Sequence, residues 1–460
     1  MFKSLAFVAS VAYANTNADD TTGIFGDAEQ WKTGTVSVDS FGDDIFYWMF
    51  ESRSEPSTDP LVLWLTGGPG CASEVALFYE NGPYQFNEDS SLKSNPYSWN
   101  AISNLLYVDQ PIGTGFSKGG AHDARTETEV AEDMANMLRG FVAQNPEFAG
   151  RDFYITGESY AGHYVPAISH YLAFEATDVQ LNLKGIAIGN GLTDPYEQYP
   201  QYAKFSYENG LISKKWEDVL DGGFKACQAL IFESLHKDGR VLDLAALEYC
   251  QILADTCIGN PVHPKVNVYD IRIPCDTPPL CYDFSQSDAF LNRADVQETL
   301  GVTGRKWVEC DTMVHTYLLG DWMTNLMPQV GEMLDKTDIE VLVYSGDKDW
   351  ICNWRGGEAW TAATKWSHKK DFNKAEYESW TVDGEAAGEM RQFGNLHFLR
   401  VFDAGHMVPM DQPEHALAMI QRLITNDWKL SADKDMEITQ SNHQASQVNH
   451  LANSNQSLIS

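Results

Sequence analysis

Residues 152–162, DFYITGESYAG, constrain the fold more than any other stretch of the chain. A β-branched and aromatic run meets Gly157, turns at Ser159 with Ala161 two residues beyond it, and gives way to a helical segment from about Tyr160. Small residues at those flanking places let a strained strand-to-helix turn close. The serine hydroxyl is then lifted above a sheet, beside a helix amino end. Such a turn needs a sheet with helices packed on it, and the rest of the chain supplies one. LVLWL before TGGPG, NLLYVD before QPIGTG, LKGIAIGN, IEVLVYSGDKD and LHFLRVFDAGH are short β-rich runs ending in glycine-rich or polar turns. ETEVAEDMANMLRGFVAQNP carries apolar residues at helical spacing and stops at Pro146. Together these predict an α/β protein with a mostly parallel central sheet flanked by helices.

The alternation breaks from about Pro195 to Cys310, where strand signals thin out and helical pieces such as FSYENGLISKKWEDVLDGGFKACQAL dominate. Five cysteines, Cys227, Cys250, Cys257, Cys275 and Cys281, crowd into the same segment. The expectation is a disulfide-stapled helical cap, residues 195–310, inserted into a core made of residues 15–194 and 311–430. Residues 431–460 are polar and without periodicity, and are expected to form a disordered tail. That tail holds the glycosylation pattern Asn455-Gln456-Ser457. At the other end, MFKSLAFVASVAYAN has a lysine, an apolar run and the small-residue pattern Ala12-Tyr13-Ala14, so residues 1–14 read as a secretory signal. No later apolar run approaches a membrane span. Eight cysteines in such a chain point to disulfides, and no pair has the CxxC spacing of a zinc site. No metal or cofactor is expected. A formal net charge of -33 argues against nucleic acid or an anionic membrane as partner, through long-range repulsion.

A serine nucleophile needs a base and an orienting acid, each held just beyond a strand. After VLVYSG come Asp347 and Asp349, and after HFLRVFDAG comes His406, in the chain order Ser, Asp, His of an α/β-hydrolase arrangement. The other histidines, among them His163, His315 and His397, lack that setting and read as structural. For the oxyanion, TGGPG offers backbone N–H groups and the residue after the nucleophile offers another, which assigns Gly68 and Tyr160. A phosphate cradle is set aside, because the lysine and second glycine of that motif are missing. From the residues alone Asp347 and Asp349 both remain candidates for the acid.

WLTGGPGCASE, FYENGPY, NLLYVDQPIGTGFS, GESYAGHYVP, IGNGLTDP, NVYDIR, YSGDKDWICNW and RVFDAGHMVPMDQP together resemble serine carboxypeptidases, relatives of carboxypeptidase Y, cathepsin A and the plant enzymes, from about residue 25 to 428. The resemblance implies an α/β-hydrolase fold with a cap and hydrolysis of peptide or protein C-termini through an acyl-enzyme at acidic pH. Ser159 becomes the nucleophile, His406 the base and Asp349 the acid. It also gives a role to Glu158, an odd neighbour for a centre that builds negative charge. With Glu80 and position 66 it is implied to bind the substrate's terminal carboxylate, a proton shared by the two glutamates making one of them a donor. Position 66 is Thr66, where the commonest family pattern has asparagine. Ala72-Ser73 stands where many relatives have two serines. Trp322, Ile351 and Tyr160 are implied on the acyl side of the pocket, Tyr269 and Met407 on the leaving side, and Cys352 in the pocket lining. The implied disulfides are Cys71–Cys310, Cys275–Cys281 and Cys227–Cys257, with Cys352 unpaired. The implied place of work is the secretory pathway, outside the cell or in a vacuolar or lysosomal lumen. An acyltransferase or esterase using the same triad is the alternative reading.

Overall fold

The computed structural model describes residues 23–26, 29–38, 42–119, 124–237, 240–258, 266–276 and 281–428. The expected signal segment 1–14, the tail 431–460 and Asn455 lie outside the described residues. Twelve strands are assigned, in chain order β1 Trp31–Ser37, β2 Asp44–Phe50, β3 Leu61–Thr66, β4 Tyr84–Phe86, β5 Leu92–Ser94, β6 Asn104–Val108, β7 Asp152–Glu158, β8 Asn182–Gly189, β9 Glu340–Gly346, β10 Glu378–Val382, β11 Glu385–Phe393 and β12 Leu396–Val401. Strands β4 and β5 form a small hairpin, and the other ten make one sheet in the order β1-β2-β6-β3-β7-β8-β9-β12-β11-β10. The six central strands, β6 to β12 in that order, are parallel. The outer pairs β1–β2 and β11–β10 run antiparallel.

The central strands read as unbroken apolar runs because both of their faces are covered. In β3, Leu61, Leu63 and Leu65 enter one hydrophobic core while Val62 and Trp64 enter the other. In β9, Val341 and Val343 divide from Leu342 and Tyr344 in the same way. A two-residue side-chain period thus feeds two cores from one strand. The helix Glu127–Gln144 covers the first face with Val130, Met134, Leu138 and Phe141. It starts at a capping box in which the Thr126 hydroxyl accepts from Glu129 N and the Glu129 carboxyl returns the bond. On the second face Met419, Ile420 and Leu423 of the helix Pro413–Thr425 are buried.

Between β8 and β9 every described regular element is a helix. The two longest, Lys214–His236 and Arg240–Thr256, pack as a hairpin cross-linked by Cys227–Cys250 with a Cα–Cα distance of 5.2 Å. This corrects the expected Cys227–Cys257 pair. Cys227 lies nine residues before the end of the first helix and Cys250 ten after the start of the second, so an antiparallel hairpin brings them level. Cys257 lies seven residues farther on, about 10 Å along a helix axis and out of disulfide reach. It is a buried free thiol. The other two disulfides are Cys71–Cys310 and Cys275–Cys281. Among the described residues no helix is long and apolar enough to cross a membrane.

Candidate active site

Ser159 lies between the end of β7 and the helix Ala161–Phe174, with a φ of 67°. A left-handed backbone costs a non-glycine residue about 1–3 kcal/mol and survives only where its surroundings hold it. Here Ser159 N donates to Gly189 O at 3.1 Å, and the Ser159 carbonyl accepts from Gly162 N at 2.9 Å and Leu192 N at 3.0 Å. Two glycines let the chain close around it. A Cβ at Gly157 would lie 2.7 Å from Ala161 Cβ, and one at Gly67 would lie 2.3 Å from Tyr160 N. The strain exposes the hydroxyl and turns the N–H of Tyr160 toward the loop after β3. Neither Tyr160 N nor Gly68 N donates to a described residue, so both are open to an oxyanion.

Asp349 follows β9 and is fully buried. It accepts from His406 Nδ1 at 2.9 Å, Asn190 Nδ2 at 2.8 Å, Ile351 N at 3.0 Å and Cys352 N at 3.1 Å. Four donors fix the carboxylate, and a carboxylate that only accepts assigns the ring proton to Nδ1 of His406. The bare Nε2 then faces the nucleophile side, 3.9 Å from Glu158 Oε1. The loop holding His406 is pinned by His406 N to Tyr269 O at 2.7 Å and by the Tyr269 ring, edge-on at 5.1 Å. Asp347 points elsewhere, 3.0 Å from Lys348 Nζ and 3.8 Å from Arg400. Ser159 Oγ makes no hydrogen bond to a described residue in this arrangement, as is common before substrate closes a site.

Glu158 and Glu80 are both buried, and neither Glu80 oxygen nor Glu158 Oε2 receives a donor from a described residue other than the facing carboxyl. Burial, opposed by the hydrogen bond to Glu158 and joined by the charge of Asp411, pushes Glu80 up to about 8. Burial first, then the charge and hydrogen bond of Glu80, drives Glu158 well above the carboxylate range. A hydrogen bond between two carboxyls requires a proton on at least one of them. Thr66 stands directly opposite Glu158 in the β3–β7 register. Its Oγ1 accepts from Trp64 Nε1 at 3.0 Å. The indole fills one lone pair of the Thr66 oxygen, so its O–H proton turns away from the indole.

The Tyr160 ring lies 5.2 Å from Trp322, and Trp322 Nε1 donates to Tyr199 at 3.2 Å. Ile351 and Cys352 are half-buried, and burial raises the free Cys352 thiol well above its ordinary range. Tyr269 packs edge-on against the His406 ring, and Met407, the next residue in the chain, is buried. His163 stacks on Tyr160 at 4.6 Å, and burial lowers it to about 4. His397 pairs with Glu340, and His315 lies near Trp322. Sequence reasoning missed Asn190, which orients Asp349, and Trp64, which orients Thr66. Asn190 had a signal: a polar residue immediately after a buried strand, in IAIGN, the same placement that marked Asp349.

With this geometry in view, the likenesses to known proteins are specific. A family model described as serine carboxypeptidase matches residues 26–426. "Serine carboxypeptidase-like 49" of Arabidopsis thaliana is 46% identical, covering 84% of this chain and 75% of the relative. "Carboxypeptidase Y homolog A" of Leptosphaeria maculans is 36% identical over 92% of this chain and 82% of its own length. Among solved structures, the prohormone-processing carboxypeptidase Kex1(delta)p of Saccharomyces cerevisiae superposes with a TM-score of 0.77 at 26% identity, over 87% of this chain and 92% of that one.

Proposed function

The chain belongs to the serine carboxypeptidase family, hydrolases that release C-terminal residues from peptides, and from that premise we propose that Ser159, His406 and Asp349 carry the reaction. His406 Nε2 takes the serine proton as Oγ attacks the last peptide carbonyl, and the N–H groups of Gly68 and Tyr160 hold the oxyanion. His406 then gives the proton to the leaving amine, so that the C-terminal residue departs and an acyl-serine remains. Water enters, His406 takes its proton, and the same donors serve the second tetrahedral intermediate. Asp349 keeps Nδ1 protonated and steadies the imidazolium.

The observation that carries the exopeptidase reading is the proton-sharing pair Glu80–Glu158, with open oxygens, next to Ser159. A protonated carboxyl donates to a free carboxylate, whereas an ionised pair repels it. Thr66 adds a second donor. Because the pair lies beside the nucleophile, it places the bond one residue from the free end in reach of Ser159. We assign the acyl-side wall to Tyr160, Trp322, Ile351 and Cys352, and the leaving side to Tyr269 and Met407. We also divide the chain into a core of 15–194 and 311–430 with a cap at 195–310. Three disulfides fit a secreted or acidic-lumen setting, and the apolar segment 1–14 is assigned as its export signal. The test compares blocked dipeptides with a free C-terminal carboxylate against their amides, from about pH 4 to 7. A strong free-acid preference that falls as pH rises is expected. Equal rates, or turnover only of esters with an alcohol acceptor, overturn the reading in favour of an acyltransferase or esterase.

A further inference from the structure

One short turn of the segment between β8 and β9 touches both loops that carry the base and the acid. It spans residues 267–273 and is closed by Asn267 N donating to Ile273 O at 2.9 Å. Val268 O accepts from Trp350 N at 3.1 Å and Ile351 N at 3.0 Å, and Ile271 N donates to Lys348 O at 3.0 Å. The turn therefore grips the chain on either side of Asp349. One residue after Val268, Tyr269 O accepts from His406 N at 2.7 Å. A Cβ at Gly405 would lie 2.5 Å from that same carbonyl, so glycine is what lets the two segments approach.

Arg272 ties this turn to the His406 loop. Its Nε donates to Asp270 Oδ1 at 2.9 Å and its Nη2 to Asp270 Oδ2 at 2.6 Å, which fixes the plane of the guanidinium. From there Nη1 donates to Asp403 O at 2.7 Å and Nη2 to Asp411 Oδ2 at 3.1 Å. Asp411 Oδ2 also accepts from Gly405 N at 2.6 Å. One side chain thus holds the loop at Asp403 and Asp411, and through Asp411 at the residue before His406.

Among the described residues Arg272 is also the only ion-pair partner of Asp270 and Asp411. Outside the glutamate pair itself, Asp411 is the acid whose charge acts on both Glu80 and Glu158, favouring a proton there. The Asp411 carboxyl is raised by burial first; the Gly405 N–H opposes that rise, Asp270 adds to it, Arg272 opposes it and Asp349 adds to it. Around the pair stand also Asp349, His406 and the hydroxyls of Tyr107, Tyr269, Tyr282 and Tyr344, which burial keeps protonated. Arg272 is the one permanent cation in this set.

We propose that Arg272 is a positioning residue with two effects on the same site: its fork holds the loop that presents His406, and its charge offsets Asp411 and so sets the pH at which the glutamate pair stops accepting a free carboxylate. This rests on the carboxypeptidase reading above. The two effects separate, because the loop needs the planar fork whereas the field needs only a positive charge.

The readout is the ratio of kcat/KM for a blocked dipeptide acid over its amide, from about pH 4 to 9, in the purified full chain. The amount of folded enzyme cancels in that ratio. In Arg272→Met the pH at which the acid preference is halved is expected to rise by about half a unit or more, because Asp411 is no longer offset. In Asp411→Asn, whose amide oxygen still accepts from Gly405 N, that midpoint is expected to fall by a similar amount. Arg272→Lys keeps the charge and loses the fork, so its midpoint is expected to stay at the wild-type value while kcat on the amide falls about tenfold, as in Arg272→Met. Midpoints that stay in place or move the same way in Arg272→Met and Asp411→Asn, or a kcat that Arg272→Lys leaves unchanged, overturn the inference and leave the carboxypeptidase reading intact. A wild type with no preference for the free acid overturns both.

Discussion

Two pairs of buried acids lie at neighbouring places in the fold, Glu80 with Glu158 at the nucleophile and Glu74 with Asp109 behind the oxyanion loop. Both are raised chiefly by burial, and neither has a cation. They differ in what else their oxygens do. Asp109 Oδ1 accepts from Ser73 N at 3.1 Å, Asp109 Oδ2 from Phe116 N at 2.7 Å, and Glu74 Oε2 from Trp307 Nε1 at 3.2 Å. A Cβ at Gly115 would lie 2.1 Å from Asp109 Oδ2, so that side is closed as well. The first pair has three oxygens with no donor beyond the facing carboxyl. A saturated pair ties segments of the fold together, whereas an open one is a socket for a ligand. The same chemistry thus serves structure in one place and recognition in the other.

The sharpest way to break this comparison is Asp109→Ala. It strands two buried backbone donors, Ser73 N and Phe116 N, at about 1–3 kcal/mol each, so urea unfolding is expected to show a loss of about 3 kcal/mol or more. A loss below about 1 kcal/mol would mean that this pair is not the structural one. Next in size is the response to pH. A carboxyl raised in the folded state contributes stability that is fully present below its ordinary value and lost as pH rises through the raised one. The thermal midpoint is accordingly expected to decline from about pH 5 to 8, the window set by Glu80 at about 8, and Glu80→Gln is expected to reduce that decline. A flat profile in the wild type contradicts proton sharing. The smallest effect on the fold, and the most diagnostic, is Glu158→Gln. An amide donates at any pH, so stability is expected to stay within about 1 kcal/mol while the free-acid preference loses its decline toward neutrality. A variant whose pH profile tracks the wild type would remove Glu158 from carboxylate recognition.

Much of this site was legible in the sequence because its parts lie where apolar strands end. The runs before Ser159, Asp349 and His406 are buried on both faces, so a polar residue immediately beyond them has one place to go, the rim of the sheet. Strands β1, β10 and β11 left weaker signals. In β1 and β11 polar residues interrupt the apolar ones, and only pairing with a neighbour makes them strands. The expected Cys227–Cys257 pairing failed for a related reason: spacing gives distance along the chain, and the hairpin decides which sulfurs meet. Thr66 shows the same limit at the scale of one bond. That a hydroxyl stands at position 66 is plain from WLTGGPG, but not that the Trp64 indole two residues earlier on the same face donates to its oxygen.

By itself the sequence determined the strand-to-helix elbow, the order of nucleophile, acid and base, and the presence of an acid beside the serine, because each is a local pattern of residue types. Only the tertiary structure decided which acids meet. Glu80 and Glu158 are 78 positions apart, and Glu74 meets Asp109 from across three intervening strands of the chain. Whether a buried carboxyl is saturated or open, and so whether it holds the fold or awaits a substrate, is set by donors from distant segments. That is a property of packing in three dimensions, and no single stretch of chain contains it.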